Sequence, residues 1–143
     1  MEDSKYSELK LIKNSKSVTV YVDDNSKALI IKSTGTYIPI EEFMEVFNST
    51  VDICRANPIV KTVFDKRSLK VFHQPSMEWY FTVWKEKLFS MGIKKHIKIL
   101  PDDFVFKSSV KIGREKIDGN FPNANYHKTS IVYVKNIEEA LVS

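Results

Sequence analysis

SMEWYFTVWKEKLFSM, residues 76–91, and IEEFMEVFNSTVDICRA, residues 40–56, are the two stretches whose periodicity decides the fold. In the first, Met77, Tyr80, Phe81, Trp84, Leu88 and Met91 recur at helical spacing. In the second, Ile40, Phe43, Met44, Phe47, Val51 and Cys54 do the same. Each set falls on one stripe of an amphipathic helix. Pro39 suits a helix start, and Glu41 and Glu42 suit the positive end of the helix dipole. Asn57-Pro58 stops the earlier helix, and Gly92 caps the later one. A helix with one apolar stripe has to cover something, and the segments around it read as strands.

Working outward, Val18 to Val22 is β-branched and aromatic, followed by the turn residues Asp23-Asp24-Asn25-Ser26 and a second apolar run from Ala28 to Ser33. These two predict an antiparallel hairpin. Val60 to Asp65 reads as a third strand, and His96 to Leu100, stopped by Pro101, as a fourth. Asp102-Asp103 opens a third helix reaching about Ile117. Asp118 to Lys128 is a polar loop, and Thr129 to Val134 a fifth strand. Asn136, with Glu139 three residues on, opens a short last helix. Residues 1–14 are polar and are expected to fray. The order is β-β-α-β-α-β-α-β-α. It predicts one α/β domain over residues 1–143, with a mixed, mostly parallel five-stranded sheet, an N-terminal antiparallel hairpin and about four helices.

Composition narrows the class. Hydrophobic residues make up 43% and aromatic residues 12% of the 143, which excludes intrinsic disorder. The single cysteine, Cys54, excludes an internal disulfide and fits a reducing compartment. No apolar run approaches the roughly 18 residues of a membrane span, and the expected location is cytoplasmic. Charge is uneven. Residues 1–59 carry seven basic and nine acidic side chains, net −2, while residues 60–143 carry fifteen and nine, net +6. The lysines are spread over several elements and read as a solvated surface. Nucleic-acid binding is therefore a third-ranked reading.

The hairpin, the helix ending Cys54-Arg55-Ala56-Asn57-Pro58, the strand ending Phe64-Asp65 and the closing Lys135-Asn136-Ile137-Glu138-Glu139-Ala140-Leu141 together resemble the STAS fold, named for sulfate transporters and anti-sigma-factor antagonists. The chain is most similar to the small stand-alone bacterial members, whose activity is mostly unassigned. The resemblance implies a signalling or protein-interaction module. In the anti-sigma-antagonist branch an Asp ends the third strand and a phosphorylatable Ser opens the next helix. Asp65 matches the first, and Ser76 lies two residues beyond the second.

Ser76 reads first as a helix cap and second as a phospho-acceptor. Ser68, beside Lys66 and Arg67, is the other candidate acceptor, and most simply a loop residue. Trp79 falls about 200° from Met77 on a wheel of about 100° per residue, off the apolar stripe. Phe72, Ser76 and Trp79 form the expected interaction face. His73, His96 and His127 lack metal-ligand spacing, and Cys54 lies on an apolar stripe. Four separated glycines make no phosphate loop. Lys66, Arg67 and Lys70 follow the third strand, Lys94, Lys95, His96 and Lys98 lead into the fourth, and Arg114-Glu115-Lys116 reads as a solvated helix face. No catalytic set, metal or cofactor is expected. The leading expectation is a non-enzymatic module that binds another protein or its own copy. A carrier of a small apolar or lipid-like ligand is the alternative.

Overall fold

Alternation of apolar and polar residues, broken by turns, produces a sheet that is antiparallel on one side and parallel on the other. The computed structural model describes residues 4–143. A 3₁₀ turn over Ser4–Glu8 leads into β1 (Lys10–Asn14), β2 (Val18–Asp23) and β3 (Ala28–Ser33), an antiparallel meander. Then follow α1 (Ile40–Ala56), β4 (Lys61–Asp65), α2 (Gln74–Trp79), a π-helical turn (Tyr80–Trp84), α3 (Lys85–Ser90), β5 (Lys95–Ile99), α4 (Phe104–Asn120), β6 (Ser130–Val134) and α5 (Ile137–Val142). From β3 to β6 every pairing is parallel, and the sheet runs β1-β2-β3-β4-β5-β6 without a reversal.

The expected mixed, mostly parallel α/β sheet is present, with one strand more than the sequence reading gave. The extra strand is β1, which falls inside the segment expected to fray. It pairs with β2, with an irregularity between Leu11 and Lys13. Met1 to Asp3, the rest of that expectation's start, lie outside the described residues.

Because the strand order never reverses, right-handed crossovers send every connecting helix to the same face. The larger core lies there. Val20, Leu29, Ile31 and Phe64 of the sheet meet Phe43, Phe47 and Val51 of α1, Met77 to Leu88 of the second helical segment, and Phe106 and Ile117 of α4. A smaller core on the other face joins Ile30, Val63, Ile97 and Ile99 to Ile137, Ala140 and Leu141 of α5 and to Tyr6 and Leu9.

Aromatic rings lock α1 to the second helical segment. Phe47 stacks on Phe43 at 4.1 Å and meets Trp84 edge-on at 5.1 Å, Phe64 at 5.3 Å and Tyr80 at 5.8 Å. The Trp84 indole N–H donates to Thr50 Oγ1 at 2.9 Å, which satisfies its buried donor. Gly113 lets α4 approach α2. A side chain there would collide with Gln74, whose amide donates to the Gly113 carbonyl at 3.3 Å.

Truncating Phe47 opens a void where five rings meet. Phe47→Ala is expected to lower the unfolding free energy by about 3–5 kcal/mol, read by urea denaturation followed by tryptophan fluorescence.

Candidate functional site

Three lysines lie in the larger core. Lys66, just past the end of β4, is 1% exposed, Lys85, the first residue of α3, 0%, and Lys98, on β5, 3%. Their placement follows from the elements that carry them. Along β5, Ile97 and Ile99 belong to the α5-side core, so Lys98 between them faces the helices, level with Phe64 on β4 and Tyr133 on β6. Lys66 follows Asp65, which faces the other way. The π turn inserts an extra residue into the helical path just before Lys85.

The three amines converge on shared aromatic rings. Lys66 Nζ lies 4.8 Å from the Phe72 ring, 5.0 Å from Phe64 and 5.8 Å from Tyr80. Lys85 Nζ is 4.8 Å from Phe81 and 5.5 Å from Tyr80, and Lys98 Nζ is 4.7 Å and 5.1 Å from the same two. Arg114, from α4, brings its guanidinium to 5.0 Å from Phe81. Ring faces attract cations, but by only about 0.5–2 kcal/mol each. Among the described residues no carboxylate pairs with any of the three lysines, and Lys85 Nζ is shut away without a hydrogen-bond acceptor. Arg114 reaches Asp118, at 3.8 Å.

Burial pulls all three lysines down from the ordinary lysine value, and neighbouring cations add to it. Lys66 falls to about 7 through desolvation and then the Arg114 charge. Lys85 and Lys98 fall well below the usual value through desolvation first, then through Arg114 and the other lysines. His96 sits on the same face of β5. Its Nδ1 lies 2.6 Å from Thr62 Oγ1 and its buried Nε2 has no partner. Desolvation, then Lys85 and Lys98, push it down to about 2, so it is neutral.

Other buried charges have partners, which sets the lysine cluster apart. Lys61 donates to the carbonyls of Ala140, Leu141 and Ser143 at 3.2, 2.7 and 3.0 Å. Asp65 accepts from Tyr6 Oη at 2.7 Å and from the Arg67 guanidinium at 3.0 and 2.7 Å, all on the α5 side of the sheet.

At the carboxyl ends of β5 and β6 lies a cavity of ≈ 810 Å³ whose border includes Arg67, Asp102, Lys107, Tyr133 and Lys135 but none of the three lysines. Tyr133 lines the cavity and is the register neighbour of Lys98.

The sequence-chosen residues are placed differently. The helix starts at Gln74, with His73 as its N-cap, so Ser76 is its third residue and not its cap. Ser76 is 1% exposed, with Oγ 3.2 Å from His73 Nδ1. Ser68 donates to the Gly35 carbonyl at 2.7 Å and is half-buried. Phe72 lies against Phe43 and Phe64 and over Lys66, and Trp79 meets Phe43 edge-on at 6.1 Å. Ser76 is buried, whereas Phe72 and Trp79 are half-buried, each with part of its ring packed on the chain's own core. Lys66 and Lys98, read as solvated, are instead buried on the helix side of the sheet, with the half-buried Arg114 at their border. The available signal was position. Lys98 interrupts a strand buried on both faces, and Lys85 lies about 80° from Met77, at the stripe's border. No family model, curated protein or solved structure matches the chain.

In the folded chain these amines lose their protons at lower pH than in the unfolded chain, which therefore binds more protons in between. Unfolding free energy should then rise with pH between about 7 and 9, by up to about 1.4 kcal/mol per pH unit for Lys66 alone. Above about pH 9 Cys54, pushed up to about 12 by desolvation, acts in the opposite direction. Urea denaturation across this range should show the rise in the wild type and a shallower slope in Lys66→Met.

Proposed function

We propose that this chain is a non-enzymatic binding module whose ligand is a small anion, taken up among Lys66, Lys85, Lys98 and Arg114. One observation carries the reading: Lys66, Lys85 and Lys98 are buried together and, among the described residues, none is ion-paired, the nearby Asp118 carboxylate being engaged by Arg114 and Tyr126. A buried amine without a carboxylate is driven toward its uncharged form, because keeping the charge unpaired would cost several kcal/mol. A bound phosphate or carboxylate would supply the missing acceptors. The aromatic walls favour an organic anion over a bare ion, and the adjoining cavity has the volume of a small-molecule site. A wholly apolar ligand fits less well, since it would leave the amines as they are. Within this reading the STAS-like element order supports a signalling role, in which occupancy of the site is the signal.

A second reading, docking of a partner protein or a second copy, is favoured by Phe104 and Val105. They are 82% and 71% exposed at the start of α4, beside the cavity. Adjacent exposed apolar side chains of this size mark interfaces. On this reading the wild type sediments as a dimer and Phe104→Ser as a monomer in analytical ultracentrifugation.

The anion reading predicts proton uptake. An anion raises the lysine pKa values back toward normal, so each binding event draws protons from the buffer. Calorimetric titration with inorganic phosphate at about pH 8 should give heats that depend on the buffer's ionisation enthalpy, and affinity should fall as pH rises. Arg114→Ala should weaken binding about tenfold or more, as loss of a charged hydrogen bond does. Absence of any phosphate heat in the wild type would remove the reading.

A further inference from the structure

We propose that Lys66 captures anionic aldehydes or ketones covalently, as an imine, while Lys98 and Arg114 hold the ligand's acidic group. This rests on the anion-binding reading and adds a bond to it. The geometry singles out Lys66 among the three amines. Lys85 Nζ is enclosed on all sides, and Lys98 lies within a strand. Lys66 stands just past the carboxyl end of β4, on the sheet edge at which the cavity opens, although it does not itself line that cavity. Its amine is covered by Phe72, at 4.8 Å, carried on a connection between β4 and α2 that is neither helix nor strand. An amine becomes a nucleophile when an apolar site and neighbouring cations hold it uncharged. Both conditions hold here. The rings of Phe64, Phe72 and Tyr80 surround Lys66, Arg114 is the cation acting on it, and Lys85 and Lys98 are titratable neighbours themselves driven toward the uncharged form. Desolvation and Arg114 bring it to about 7, leaving about half as free amine at neutral pH.

The step balances without an oxidant or reductant. The nitrogen lone pair forms a bond to the carbonyl carbon, and the carbonyl oxygen leaves as water with the two amine hydrogens. The product is a carbon–nitrogen double bond. Addition of water reverses the capture. Arg114, the cation that suppresses protonation of Lys66, also attracts the carboxylate or phosphate that places the carbonyl next to it.

Pyridoxal 5′-phosphate, which carries an aldehyde and a phosphate, is a suitable probe. The whole protein is mixed with equimolar probe, reduced with borohydride and mapped by peptide mass spectrometry. The label should concentrate on Lys66, fall when inorganic phosphate is added, fall when pyridoxal replaces the probe, and vanish in Lys66→Arg. Label spread over exposed lysines such as Lys70 and Lys94, or retained in full by Lys66→Arg outside residue 66, would overturn the proposal. If Lys66→Arg does not fold, phosphate protection of Lys66 in the wild type decides: protection supports the capture and its absence overturns it. Phosphate calorimetry on the same preparation separates the two failures. Phosphate binding without label on Lys66 sinks the imine alone, whereas no phosphate binding sinks both readings.

Discussion

The aromatic interlock between α1 and the Tyr80–Trp84 π turn is the contact on which the rest of the structure depends. Phe43, Phe47, Phe64, Tyr80 and Trp84 meet at centroid distances from 4.1 to 6.4 Å, in stacked and edge-on pairs. Rings of this size contribute most of the apolar area that two helices can bury against a sheet. Their packing fixes how close the helices come to β4 and β5, and so how little water remains between them. The electrostatics of the lysines follow from that dryness. The same amines on a looser interface would be hydrated and ordinary.

Within one sheet the chain treats its buried charges in two ways. On the α5 side, Lys61 closes the last helix through three carbonyl acceptors, and Asp65 is satisfied by Tyr6 and Arg67. Those groups explain themselves as structure. On the opposite side, Lys66, Lys85 and Lys98 face aromatic rings and one another. Ring faces return only part of the hydration that the amines lose. The imbalance is local, since the strands that carry Lys66 and Lys98 also carry the satisfied set. An arrangement that weakens the fold, next to one that strengthens it, is the pattern expected where a site has requirements of its own.

Much of this fold was legible in the sequence, because apolar periodicity reports which face an element buries. The stripes of α1 and of residues 76–91 were read correctly through Phe43, Phe47, Val51, Met77, Phe81 and Trp84, all buried. The Asp103 cap of α4 and the Asn136 cap of α5 were legible for a different reason, since their side chains accept helix N–H groups over a few residues. β1 was not legible. Lys10 to Asn14 holds only Leu11 and Ile12 as apolar residues, and an edge strand with lysines is what a sheet uses to block further pairing. The site was less legible still. A hydrophobicity pattern treats lysine as surface, and charge counting treats it as a contribution to a field. Neither records that Lys66, Lys85 and Lys98, far apart in the chain, all end beside the Tyr80 ring. The positions of Ser76 and Trp79 were not legible either. The helix begins earlier than the apparent serine cap, and α1 supplies a wall that a helical wheel drawn on one segment does not contain.

The π turn links these two failures of local reading. An α-helix through residues 74–90 would keep one phase throughout, and a stripe drawn from Met77 would hold to Met91. One wider turn breaks that phase immediately before Lys85. Tyr80 and Phe81 lie in that turn, and they are the rings that Lys85 and Lys98 share. A regular helix makes the better hydrogen-bond ladder, so an irregular one persists where packing on both sides requires it. Here one side is the interlock with α1, and the other is the approach of α4, held close by Gly113 and bringing Arg114 to Phe81. The irregular turn, the tight helix contact and the buried lysines therefore occupy one region of the molecule. Packing demands account for the first two, and the third, which packing does not require, is the observation on which the proposed anion site rests.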